Sequence, residues 1–226
     1  MISLLLPTCK RPHLLGHMLA SLRDTTLGYE LEVIAIVDDD IVSANIAMEY
    51  KCIVEHAPYR RGALNCWNRA LKLATETSPN DLIVPCGDDQ IFHPGWLGYA
   101  IEAHKTILNG YGVVGMNDLA YNGNTQVATM FAFDRRYCKE VMGGVFAPPM
   151  YSYYCIDLEW NDKAKMNGRF FWEERSKVEH IHSAHGKRLV DSLDREKMDS
   201  GWMETDNKIF ADRKARGFPV EWSPII

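Results

Sequence analysis

From residue 2 to residue 116 the chain repeats one unit, a short apolar run followed by a segment whose apolar positions recur at helical spacing. The runs are residues 2–6, 31–37 (LEVIAIV), 52–55, 81–86 (DLIVPC) and 112–116. Between them, residues 12–23, 40–48, 63–77 and 94–108 carry helical patterns. Pro12 and Pro94 stand where proline suits a first helical turn, and Leu14, Leu15, Met18, Leu19 and Leu22 share one face of the first helix. Strands apolar on both sides and separated by helices imply a mostly parallel sheet with helices on both faces. The expected class is therefore α/β and Rossmann-like, and such sheets bind ligands beyond the carboxyl ends of their strands.

After residue 116 the pattern changes. Asn122-Gly123 signals a tight turn, and residues 127–133 read as a strand pairing antiparallel with a neighbour. Residues 157–167 read as a helix stopped by Gly168, residues 169–172 and 177–181 as short strands, and the charged stretch from Lys187 to Gly217 as helical. A chain of 226 residues suits one domain, here with a smaller antiparallel C-terminal part.

Composition narrows the function. A net charge of −5 argues against a nucleic-acid partner, which calls for a basic face. Six cysteines (Cys9, Cys52, Cys66, Cys86, Cys138 and Cys155) form no CxxC pair, which fits free thiols in a reducing compartment. The opening apolar stretch is too short for a signal peptide, and no later stretch approaches membrane-spanning length, so the expected location is the cytoplasm. No GxGxxG follows any run, against a dinucleotide-dependent oxidoreductase.

Three polar clusters follow strands: Pro7-Thr8-Cys9-Lys10-Arg11, Asp38-Asp39-Asp40 and Gly87-Asp88-Asp89-Gln90. One acid after a strand is commonly a helix cap, as expected of Asp40. Adjacent acids at two strand ends repel unless a cation or donor lies between them, so Asp88 and Asp89 suit Mn²⁺ or Mg²⁺ as well as a turn. Arg60-Arg61-Gly62 enters a helix and suits an anion, with Arg61 the functional candidate and Arg60 solvated. His180 and His182 face one side of a strand, and either, or His185, could ligate a metal near Asp89. Asp157 and Glu159 open a helix, where an acid is either a partner of the helix dipole or a general base in the cleft.

The order of these motifs resembles the family 2 glycosyltransferases, an inverting group with the GT-A (nucleotide-diphospho-sugar transferase) fold. SLLLPTCKRPHLLGHMLASL is similar to that family's first strand and helix, VIAIVDDD to its second strand, RRGALNCWNRAL to the segment before the fourth, and LIVPCGDDQIFHPGWL to its metal-binding strand. The resemblance implies a nucleoside diphosphate sugar, UDP-sugars favoured, on Pro7, Thr8, Arg11, Asp38, Asp39, Arg61, Asn68 and Asp88. It implies Mn²⁺ or Mg²⁺ on Asp89 with His182 or His180, and Asp157, with Glu159 as substitute, deprotonating a hydroxyl acceptor. Residues 1–116 would bind the donor, and residues 117–226 the acceptor, with Tyr151, Tyr153, Tyr154, Phe170, Phe171 and Trp172 among the candidate contacts. Two departures stand out: Gly87 replaces an acid frequent in the family, and the family's usual base motif has no clear counterpart. Two other functions share the fold, a sugar-phosphate nucleotidyltransferase and a catalytically silent nucleotide-binding module. The absence of glycines in PTCKRP counts against the first.

Overall fold

The computed structural model describes residues 1–74, 81–120 and 127–222. Eight strands form one sheet in the order β3-β2-β1-β4-β7-β6-β8-β5. β1 (Ile2–Thr8), β2 (Leu31–Asp38), β3 (Ile53–Ala57) and β4 (Leu82–Pro85) are mutually parallel, so their carboxyl ends share one edge. α1 (Pro12–Thr25), α2 (Ile41–Glu49) and α3 (Ala63–Leu73) make the crossovers. Side chains alternate through the sheet as the pleat requires. Leu4, Leu6, Ala35 and Val37 pack under α1, α2 and α4 (Trp96–Thr106), while Leu5, Ile34 and Ile36 pack on the opposite side with α3. This is the expected α/β sheet covered on both faces.

The second half departs from the parallel pattern. β7 (Met130–Asp134) enters antiparallel between β4 and β6 (Val113–Asn117), as the sequence led one to expect. It pairs with β4 only through Leu82 and Ile83, leaving the end of β4 open below the carboxyl edge. α5 (Arg135–Val141) follows β7 directly, capped by Asp134, whose side chain accepts from the Tyr137 N–H at 2.7 Å. Its seven residues gave no periodic signal of helix. α6 (Ile156–Met166) matches the helix expected there.

Two expectations need correction, and one strand was not foreseen. The strands expected over 169–172 and 177–181 are one strand, β8 (Phe170–His180), with a register shift where Met116 faces Glu173 and Asn117 faces Lys177. A further strand, β5 (Gln90–Phe92), pairs antiparallel with β8 immediately after the Asp88–Asp89 pair. The helix expected over 187–217 is two, α7 (Ser192–Asp199) and α8 (Trp202–Ala215), parted at Gly201, whose φ of 71° is left-handed. Residues 187–191 are non-helical, and Asp191 begins α7 with a reciprocal capping box to Asp194. The Asn122-Gly123 turn and the end of the helix expected over 63–77 lie outside the described residues. Among the described residues all six cysteines are free, and no helix is long and apolar enough to cross a membrane.

Candidate functional site

A cleft of about 400 Å³ opens along the carboxyl ends of β1, β2 and β4. Its floor is the segment after β4, held by the Trp67 indole N–H donating to the Cys86 carbonyl at 3.1 Å. Position 87 must be small in this conformation, because a Cβ there would come within 2.9 Å of Asp89 Oδ1. Asp88 and Asp89 are both buried. Thr8 Oγ1 donates to Asp88 Oδ2 at 2.8 Å. Asp89 faces two guanidinium groups, Arg11 Nη1 at 3.7 Å and Arg188 Nη2 at 3.5 Å, and the His180 ring, whose Nε2 lies at 3.3 Å. Burial and the neighbouring Asp89 charge push the Asp88 carboxyl up. Burial also works against ionised Asp89, but the bond and charge of His180, with Arg11, outweigh it and hold that carboxyl below the usual range. The pair thus divides into one strongly ionised acid and one that protonates more readily.

Arg11 joins the two ends of the chain. Its Nε donates to Asp191 at 2.8 Å and its Nη2 to Asp194 at 2.6 Å, while Nη1 stands 3.6 Å from Asp88. Arg188 binds Asp194 from the other side. Asp191, Asp194 and Arg188, three members of this network, carried no recognisable sequence motif, because the Arg11 they gather around lies far off in the chain.

On the β2 side, Asp38 lines the cleft, and its Oδ2 accepts from the Arg61 and Gly62 backbone N–H groups at 2.7 and 2.9 Å. This carboxylate occupies the free N–H groups at the start of α3. Asp39 stands outside the lining residues, with a left-handed φ of 48°, and pairs with Lys10 at 2.8 Å. Asp40 caps α2 as expected, accepting from the Ser43 N–H. Arg61 also lies outside the lining, bound to Asp38 and Glu55, whereas Arg60 lines the cleft and pairs with Glu196. Asn68 is a structural clamp: its Oδ1 accepts from the Phe146 and Ala147 N–H groups and its Nδ2 donates to the Ala147 carbonyl.

The far wall is the loop leading into α6. Asp157 lines the cleft, and burial raises its carboxyl above the usual range. Glu159, two residues on, is a correction to the sequence reading. It is fully buried away from the cleft, where Arg213 donates to both its oxygens at 2.9 and 2.7 Å and the Tyr151 hydroxyl donates to it. The helical turn rotates the two side chains apart, so only Asp157 is available to a ligand. The wall itself is fixed by buried Asp206 of α8, which accepts from the backbone N–H groups of Ser152, Tyr153 and Tyr154 at 2.9, 2.8 and 2.7 Å. Tyr153 and Tyr154 reach the cleft, while Phe170, Phe171 and Trp172 pack on the two core clusters.

Of the histidines, His180, His182 and His185 all line the cleft, with ring centroids 5.0 Å apart for the first pair and 5.9 Å for the second. Burial and the nearby His180 lower the His182 pKa to about 4. His182 Nδ1 accepts from the Ala184 N–H at 3.1 Å, which leaves the proton of a neutral ring on Nε2.

Comparison with known proteins adds to this geometry. The family model described as "Glycosyl transferase family 2" matches residues 3–130, more than half of the chain. None of the curated proteins matches it in sequence. Among solved structures, TarS 1–349 from S. aureus is 16% identical, with 97% of this chain and 74% of that chain covered at a TM-score of 0.61. Glucosyl-3-phosphoglycerate synthase from Mycobacterium tuberculosis, in complex with Mn²⁺, UDP and glucosyl-3-phosphoglycerate, is 15% identical, covered over 98% and 81% at a TM-score of 0.63. Mannosyl-3-phosphoglycerate synthase from Rubrobacter xylanophilus is 12% identical, covered over 95% and 75% at a TM-score of 0.65. These likenesses establish the GT-A fold.

Proposed function

Because the chain belongs to glycosyl transferase family 2, and is thereby a glycosyltransferase, we propose that it moves a sugar from a nucleoside diphosphate donor, a UDP-sugar by preference, to an acceptor hydroxyl with inversion. The observation that carries this reading is the buried Asp88–Asp89 pair, set at the end of β4 between Thr8, Arg11, Arg188 and His180 and across one cleft from Asp157. The solved relatives bound to UDP with Mn²⁺ or Mg²⁺ support the same donor class.

The residues present fit a hard divalent cation. Asp89 and Asp88 offer carboxylate oxygens, the ligand type that Mn²⁺ and Mg²⁺ take. Among the described residues no three His, Cys, Asp or Glu groups form a ready cation shell, as suits an ion held by one or two carboxylates and completed by substrate phosphates. Asp89 would hold it, with Asp88 beside it. His180 is the nearer histidine, since the Nδ1 lone pair of His182 is already engaged. Such an ion, when bound, neutralises charge on the departing diphosphate.

The chain's own groups do the rest. Pro7, Thr8 and Asp38 line the donor side, and Asp38 orders the start of α3 there. Arg11 and Arg188 supply fixed positive charge beside the two acids. Asp157, with its carboxyl raised by burial, accepts the proton of the attacking hydroxyl at a carboxylate oxygen. In this reading residues 1–116 serve the donor and the remainder of a single domain serves the acceptor, in a cytoplasmic enzyme.

Thermal unfolding with UDP, GDP, CDP, dTDP and ADP, each with and without Mn²⁺, tests the proposal. Ligand at a hundred times its dissociation constant adds about 2.7 kcal/mol, a visible rise in Tm. One diphosphate acting only with metal supports the donor site, and no response from any of the five removes it.

A further inference from the structure

Gln90 opens β5 immediately after the two acids, is 5% exposed and lines the cleft. Its Oε1 is buried and has no hydrogen-bond partner. Its Nε2 lies beside Gly87, 3.9 Å from where a Cβ at that position would stand. As placed, it is the acceptor end of the amide that is orphaned. Buried polar groups are nearly always satisfied, and leaving one unpaired destabilises the fold. An apolar side chain of the same length would avoid that loss, so an amide here needs a role outside the free protein.

Its place indicates the role. In register Gln90 faces His180, whose ring contacts Asp89 at 3.3 Å. It therefore sits on the β5–β8 side of the acids, away from Asp38 and the start of α3. A primary amide presents a donor and an acceptor on neighbouring atoms, which matches two adjacent ring hydroxyls. A site built to bond hydroxyls also rejects sugars that lack them or present them differently.

We propose that Gln90 reads the transferred sugar, its amide completing hydrogen bonds to two neighbouring hydroxyls of the donor's sugar ring. This inference rests on the donor reading given above. It assigns sugar selectivity to the residue after the acid pair and leaves nucleotide affinity to the rest of the cleft.

The test measures the affinity of wild type, Gln90→Met and Gln90→Leu for UDP, UDP-glucose, UDP-galactose and UDP-N-acetylglucosamine with Mn²⁺, and the Tm of each free protein. Wild type should separate the sugars by tenfold or more. Both variants should bind UDP within twofold of wild type, compress the separation below threefold, and melt no lower than wild type, because the orphaned amide is gone. Variants that keep the wild-type ranking of sugars overturn the proposal. So do variants that melt several degrees lower and lose UDP, since the amide would then serve the fold. Failure of wild type to bind any of the four, UDP included, overturns the UDP-donor reading itself, and is told apart because it precedes any variant.

Discussion

Arg11 Nη2 and Asp194 Oδ1 lie 2.6 Å apart, although 183 residues separate them in the chain. Both are buried, and together with Arg188 they tie the loop after β1 to the first turn of α7 beside the two acids that follow β4. Removing one partner of a buried ion pair strands the other. Asp194→Ala should therefore destabilise the protein by about 3 kcal/mol, read from urea unfolding. A loss below about 1 kcal/mol would show that Asp191 alone satisfies both arginines.

Asp89→Asn keeps the shape of the side chain and removes its charge. The Mn²⁺-dependent part of the UDP-induced rise in Tm should disappear, and sugar transfer should fall by about 10²-fold or more. An Asp89→Asn enzyme with wild-type turnover would sink the metal assignment.

Asp157→Asn should leave UDP binding intact while lowering kcat by about 10²- to 10⁴-fold. Asp157 must be ionised to accept a proton, and burial raises its pKa. Wild-type kcat/KM should accordingly fall off on the acid side at a pH above the ordinary carboxylate range. A pH–rate profile whose acid limb survives in Asp157→Asn would assign the base elsewhere.

Glu159→Gln separates architecture from chemistry. Arg213 is 2% exposed in its side chain and Glu159 is wholly buried, so the substitution should cost about 3–5 kcal/mol of stability. The folded fraction should retain near-normal kcat, because Glu159 does not reach the cleft. A large kcat loss in fully folded Glu159→Gln protein would contradict its structural role.

His182 gives a pH signature. Its pKa falls from 6.5 to about 4 on folding, so between those values the unfolded chain holds a proton that the folded one lacks. Stability should thus decline as pH is lowered from 6.5 toward 4, and be fully retained above 6.5, as far as this group is concerned. His182→Gln should show a flatter decline through that window in a series of denaturant midpoints. Parallel wild-type and variant curves would mean that His182 titrates normally.

What the sequence determined by itself was the layered core and the chemistry at strand ends. Runs such as LEVIAIV, apolar but for Glu32 and alternating with helical segments, suit a parallel sheet covered on both faces, and polar residues ending such a run emerge at its carboxyl edge. Thr8, Asp38, Asp88 and Asp89 were therefore legible as neighbours in one cleft, and His180 in β8 was marked by spacing.

Tertiary structure alone decided which of two nearby acids faces that cleft, and what closes it. Asp157 and Glu159 look alike in sequence, but the helical turn and the buried Arg213 direct Glu159 to the core. Residues 187–217 have the composition of one charged helix, yet Gly201 parts the helical segments and Arg188 and Asp194 join a buried network around Arg11. Local propensity is a matter of tenths of a kcal/mol per residue, whereas an unpaired buried charge costs several. The contacts that settle the site are thus made between segments too far apart for any window of sequence to contain both partners.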